Sequence, residues 1–188
     1  LFFGISFFIF SLHWIFNSFL IRSGIYLYLL PISLFTMSCF LALFISFVTL
    51  LSYKFKTKLM YSVVFFSIFW TLSEILRGYV FTGFPWNLLA HSLVNFNSII
   101  QICSILGVYG LSFLLILFVL SSSLIFFKLN QKKNFFFFAI SLSLFFIIIV
   151  YGNNRINNLN IESFNSSTFR VVQPNINQED KLNYLKTE

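Results

Sequence analysis

Acidic residues are scarce in this chain: five Asp and Glu stand against twelve Lys and Arg among 188 residues. Charged residues of both signs make up 9% of the chain, against about 25% in an ordinary soluble domain. This scarcity excludes a soluble globular domain, and the 59% of hydrophobic residues excludes a disordered chain. Cysteine is nearly absent. Cys39 and Cys103 form no disulfide framework, and each lies in an apolar run, where a thiol packs as a small hydrophobe. His13 and His91 have no partners at ligand spacing. No metal motif, cofactor motif or phosphate loop is present. No polar segment carries a basic stripe with interleaved aromatics, which argues against nucleic acid as a partner.

What remains is a polytopic membrane protein, with a mean hydropathy of +0.90. Its 30 Phe residues read as generic apolar filler in an AT-rich coding bias. Five apolar runs are long enough for a span of about 20 residues. They cover residues 1–21, 26–51, 59–80, 98–127 and 134–151. The fourth exceeds one span and contains Gly107 and Gly110, so it is expected to begin with an interfacial segment or to bend there.

The net charge of +7 sits entirely in residues 1–151. Lys54, Lys56 and Lys58 fill one loop, and Lys128, Lys132 and Lys133 fill another. Two spans separate these loops, so the positive-inside rule puts both in the cytoplasm. The stretch 81–97 and everything after Tyr151 then face the opposite side. Beyond Tyr151 the composition changes. Residues 152–168 are rich in Asn and Ser and read as a polar linker. Residues 169–173 read as a short strand ended by Pro174-Asn175. Residues 178–188 read as the start of an amphipathic helix, with acids in its first turn and Leu182 and Leu185 on one face. A strand, a turn and a helix open an α/β domain. Leu1 is not a Met and the C-terminal pattern stops in mid-helix, so the chain reads as a piece of a longer protein.

The most informative segment runs from Trp70 to Asn87. Glu74 is the single acid of the membrane part, and Arg77 follows at i+3, on the same helix face. Charge at membrane depth marks either a site or a neutralised pair that fixes helix packing, and the residues alone leave both open. Gly83-Phe84-Pro85-Trp86 reads as a tight turn ending in an interfacial Trp, again either part of a site or an aromatic-belt anchor.

Glu74-x-Leu76-Arg77-Gly78 followed by Thr82-Gly83-Phe84-Pro85-Trp86 resembles the apolipoprotein N-acyltransferase family of Gram-negative bacteria. Three further stretches agree in order and spacing. Residues 4–17, with His13-Trp14, resemble one of its helices, and Gly107-Val108-Tyr109-Gly110-Leu111-Ser112-Phe113 resembles another. Residues 169–181 (FRVVQPNINQEDK) resemble the opening of its nitrilase-like, carbon–nitrogen hydrolase domain. Leu182 departs from the Trp usual in the family at that place.

The resemblance implies an α-helical membrane bundle, residues 1–151, then a linker at 152–168 and the start of a periplasmic α-β-β-α domain at 169–188. It implies an inner-membrane enzyme of lipoprotein biosynthesis. Such an enzyme moves an acyl chain from a phospholipid to the N-terminal amine of the diacylglyceryl-Cys of a lipoprotein. The family works through a Glu-Lys-Cys triad and a thioester, and that triad is expected beyond Glu188, so no catalytic residue is assigned here. By matching positions, Arg77, Gly83, Pro85 and Trp86 carry over as lipid-binding or supporting residues, with Glu74 as the partner of Arg77. At the periplasmic surface Arg77 would hold a lipid phosphate, and Trp86 would line the entry for acyl chains. A transporter fragment, or a non-catalytic relative, is the competing reading.

Overall fold

The computed structural model describes residues 1–16, 24–55, 58–81, 83–127, 130–158, 170–173 and 175–176. Within them the chain is helical. Helix α1 spans Phe2–Leu12 and tightens into a 3₁₀ turn at His13–Phe16. Helix α2 spans Ile25–Lys54, α3 Leu59–Tyr79, α4 Asn97–Ile100, α5 Cys103–Ser123 and α6 Gln131–Asn157. A 3₁₀ turn at Leu89–Leu93 lies between α3 and α4.

Helix is the form that such apolar segments must take, because in hydrocarbon every backbone N–H and C=O has to be satisfied within the segment. The hydroxyls obey the same demand. Ser46, Ser52, Ser67 and Thr71 each donate to the carbonyl four residues back. A few hydroxyls and amides instead join helices. Ser73 donates to the Phe44 carbonyl at 3.3 Å. Ser121 and Ser141 share a bond of 2.6 Å, and Asn134 donates to the Leu124 carbonyl. Large apolar side chains such as Phe10, Phe35, Phe47 and Phe146 cover the outside, as a lipid-facing bundle requires.

Four helices are long and apolar enough to cross a membrane: Leu27–Lys54, Leu59–Tyr79, Cys103–Phe126 and Gln131–Asn157. This corrects the count of five. The apolar helix at Phe2–Ile15 is shorter than a span among the described residues. The backbone tightens at His13, and residues 17–21 of that run lie outside the described residues. The long fourth run resolves as anticipated: α4 is a separate short helix, and α5 bends at Gly107, whose φ of +66° suits glycine. The last span runs to Asn157, six residues into the stretch read as linker. Residues 170–173 show no strand pairing, and Phe169 and the expected helix from Gln178 lie outside the described residues.

Helix α1 packs on α2, α2 on α3, α3 on α5, α5 on α6, and α4 on α6. Gly78 near the end of α3 faces Tyr109 near the start of α5, so these two helices are antiparallel. The α2–α3 and α5–α6 connections therefore share one end of the bundle, with Lys54, Lys58, Lys132 and Lys133. The other end gathers the close of α3, the loop 80–96, α4 and the close of α6. Two apolar cores lie toward that end, one around Phe8, Leu12, Leu41 and Ile45, the other around Ala90, Ile99, Ile102, Leu111 and Ile148.

Candidate functional site

Glu74 and Arg77 occupy the last two turns of α3, and both are only 5% exposed. They line one small cavity with Phe8, Ile45, Trp70, Ser73 and Asn87. They share a face as the i, i+3 spacing requires, yet they do not bond to each other. Glu74 Oε1 accepts from Trp70 Nε1 at 3.1 Å and from the Leu89 backbone N–H at 2.9 Å. Arg77 lies over the Phe8 ring, 5.3 Å from its centroid, and Nη2 donates to the Asn87 carbonyl at 3.4 Å. Glu74 Oε2 and Arg77 Nε are buried with no hydrogen-bond partner.

The two side chains thus hold a loop. Both reach from the helix to backbone groups of residues 87 and 89, after the turn. The loop is fastened at other points too. The Phe84 N–H donates to the Arg77 carbonyl at 2.7 Å, and the Gly83 N–H to the Val80 carbonyl at 3.0 Å. Asn87 Nδ2 donates to Ser11 Oγ at 3.2 Å, tying the loop to α1, and the Ala90 N–H donates to Ser112 Oγ at 3.1 Å, tying it to α5. Gly83 has a φ of +79°, and a Cβ there would run into the Gly78 carbonyl, so the turn admits no other residue without strain.

At the tip the side chains turn outward. Pro85 is exposed, and Trp86 is 51% exposed. The Trp86 ring stacks on Trp14, with centroids 5.0 Å apart and planes 9° from parallel, and on Phe84 at 6.1 Å. The result is an aromatic shelf at the end of the bundle, supported from below by a buried polar lock.

The structure brings all five anticipated residues into one neighbourhood but divides them. Glu74 and Arg77 are interior, Gly83 forms the turn, and Pro85 and Trp86 form the tip. Burial turns the Arg77 guanidinium inward, away from a surface lipid phosphate; a desolvated cation takes the aromatic face and the carbonyl available to it. Sequence reasoning passed over Trp70, Ser11, Phe8 and Leu89 as partners. Only Trp70, at i−4 from Glu74, had a spacing signal. Cys39 and Cys103 are half-buried and do not line this cavity. His13 Nδ1 lies 2.6 Å from the Phe10 carbonyl, and His91 is exposed. No three His, Cys, Asp or Glu side chains come together among the described residues.

A family model described as the apolipoprotein N-acyltransferase N-terminal domain matches residues 1–121. The apolipoprotein N-acyltransferase of Rickettsia bellii is 31% identical over 179 residues, covering 95% of this chain and 35% of that protein. Its counterpart from Rickettsia prowazekii is 32% identical, over 95% of this chain and 36% of the relative. That of Haemophilus influenzae is 39% identical over 77 residues, 41% of this chain and 14% of the relative. The chain spans about a third of the length of the first two. No solved structure matches. The family match takes in the polar lock, the Gly83–Trp86 turn, two of the four spans and most of a third, and the chain belongs to the apolipoprotein N-acyltransferase family.

Proposed function

We propose that these residues form the membrane part of an enzyme that N-acylates lipoproteins in the bacterial inner membrane. In this reading a phospholipid donates the acyl chain, and the N-terminal amine of a diacylglyceryl-Cys accepts it. The observation that carries the proposal is the family match over residues 1–121, which contains the entire lock and turn. The transporter reading has no comparable support.

The reaction needs an activated nucleophile and an oxyanion-stabilising environment. In this proposal both come from a nitrilase-like domain that begins near residue 169, past a linker that follows α6. The membrane part contributes position. Glu74 and Arg77 fix the loop 80–89, and that loop presents Trp86 and Trp14 as a flat aromatic floor at the end of the bundle. A stacked indole pair suits the boundary between acyl chains and headgroups, where an apolar ring with a polar edge is favoured. The lysine connections at the other end are cytoplasmic in this scheme, which makes the aromatic shelf periplasmic.

The test uses the full-length protein. Arg77→Ala is expected to abolish or strongly reduce N-acylation while the protein still inserts, because it empties the space between Phe8 and the loop that the guanidinium fills. Arg77→Lys is expected to restore little, since an ammonium has no planar face to lay on Phe8. Unchanged acylation in the Ala variant would reduce Arg77 to a packing residue. The 188 residues alone are expected to form neither a thioester nor N-acylated product.

A further inference from the structure

We propose that the edge formed by α4, α5 and α6 carries a second lipid contact, a phosphodiester headgroup site built on Arg155. Arg155 lies in the last turn of α6, at the end of the bundle away from Lys54, Lys58, Lys132 and Lys133. Among the described residues of the bundle, two guanidinium groups stand at this end, those of Arg77 and Arg155. Arg77 is enclosed and committed to the loop, whereas Arg155 is exposed.

The Arg155 side chain is held in place. Its Nη1 donates to Ser104 Oγ, at the start of α5, and to the Tyr151 hydroxyl at 3.3 Å. Tyr151 and Ser104 are themselves 3.2 Å apart. The floor beneath is rigid. Gly152 packs so closely on the Ser98 backbone that any Cβ would collide with it, and Ser98 bonds to Asn153. One nitrogen of the guanidinium is thus pinned, while Nε and Nη2 have no partner among the described residues. That free edge is the one that grips a phosphate with two parallel N–H bonds.

Nothing in the described bundle neutralises this cation. The one carboxyl among the described residues is Glu74, which is buried and bonded to Trp70 and Leu89. The surroundings select a lipid over a free anion. Ile147, Tyr151 and Arg155 follow one another at four-residue steps along α6, so an apolar stripe leads up through a phenol to the cation. Ile147 is 60% exposed, and beside Ser104 the α5 residues Ile105 and Leu106 are 62% and 47% exposed. Acyl chains below and an anionic phosphodiester above match that sequence of surfaces. The proposal extends beyond acyl transfer and does not require it, because the site is read by binding.

The experiment is native mass spectrometry of the delipidated full-length protein in detergent. Dioleoyl phosphatidylglycerol, dioleoylglycerol with the same tails, and inorganic phosphate are added in separate arms. Phosphatidylglycerol should be retained, and Arg155→Gln should weaken its binding about tenfold, the loss of a charge-assisted bidentate contact. Arg155→Lys should fall between, and Lys132→Gln at the opposite end should bind as the parent does. Dioleoylglycerol should bind weakly and equally to both proteins, and inorganic phosphate should not bind measurably. Equal phosphatidylglycerol binding by Arg155→Gln overturns the site. Equal affinity for the two lipids, or tight binding of phosphate alone, overturns its assignment to a lipid.

Discussion

Glu74 and Arg77 share a low-dielectric cavity without touching, so they should be energetically coupled even though no bond joins them. The perturbation is a double-mutant cycle with Glu74→Gln and Arg77→Met, which keep side-chain length and remove charge. Arg77→Met removes the contact with Phe8, which is worth about 1–2 kcal/mol for a desolvated cation. Its hydrogen bond to Asn87, at 3.4 Å, is long and adds little. It also leaves Glu74 buried with no cation nearby, and removing one member of a buried pair costs about 3–5 kcal/mol in total. Glu74→Gln leaves Arg77 buried with no anion nearby but keeps an oxygen that can accept from Trp70 and Leu89, so its loss should fall at the low end of that range, about 3 kcal/mol. The double variant has no orphaned charge and should be less destabilised than the sum of the singles, by about 1–3 kcal/mol. Equilibrium unfolding of all four proteins in mixed detergent micelles, followed by circular dichroism, measures this. Additivity within about 0.5 kcal/mol would show that Glu74 and Arg77 are uncoupled, since independent sites add to that precision.

Two further outcomes follow from the packing and the topology. Gly152→Ala should cost about 1–3 kcal/mol in the same assay, because the new methyl group meets the Ser98 carbonyl and α4 must move off α6; wild-type stability would show that the contact is soft. Reporter fusions after Lys133 and after Asn160 should report opposite sides of the membrane, cytoplasmic and periplasmic, and a shared side would sink the orientation.

The membrane class, the motif segment and the bend in the long fourth run were legible because they depend on composition and local spacing. The Gly83 turn was legible for the same reason, since the backbone there needs a residue without a Cβ. What local pattern does not carry is the identity of partners distant in sequence. The i, i+3 spacing puts Glu74 and Arg77 on one face, but the groups that they bind come from residues 87 and 89, which reach them only after the chain has reversed. The link from Asn87 to Ser11 spans 76 residues and leaves no trace in either neighbourhood. Gly152 to Asn157 looked like linker because Asn and Gly are poor helix formers. Packing of Gly152 against Ser98 and the bonds of Tyr151, Asn153 and Arg155 to α4 and α5 override that preference. The first apolar run is helical through Phe16 among the described residues, and residues 17–21 of it lie outside them.

The activity proposed for the full-length protein is acylation of an N-terminal amine. The most direct measurement incubates the purified full-length protein with phospholipid and a synthetic diacylglyceryl-cysteinyl peptide, then reads the peptide by mass spectrometry. The expected result is a mass gain of one acyl chain, located on the N-terminal amine and dependent on added phospholipid. An unmodified peptide, from protein that is folded and inserted, would contradict it.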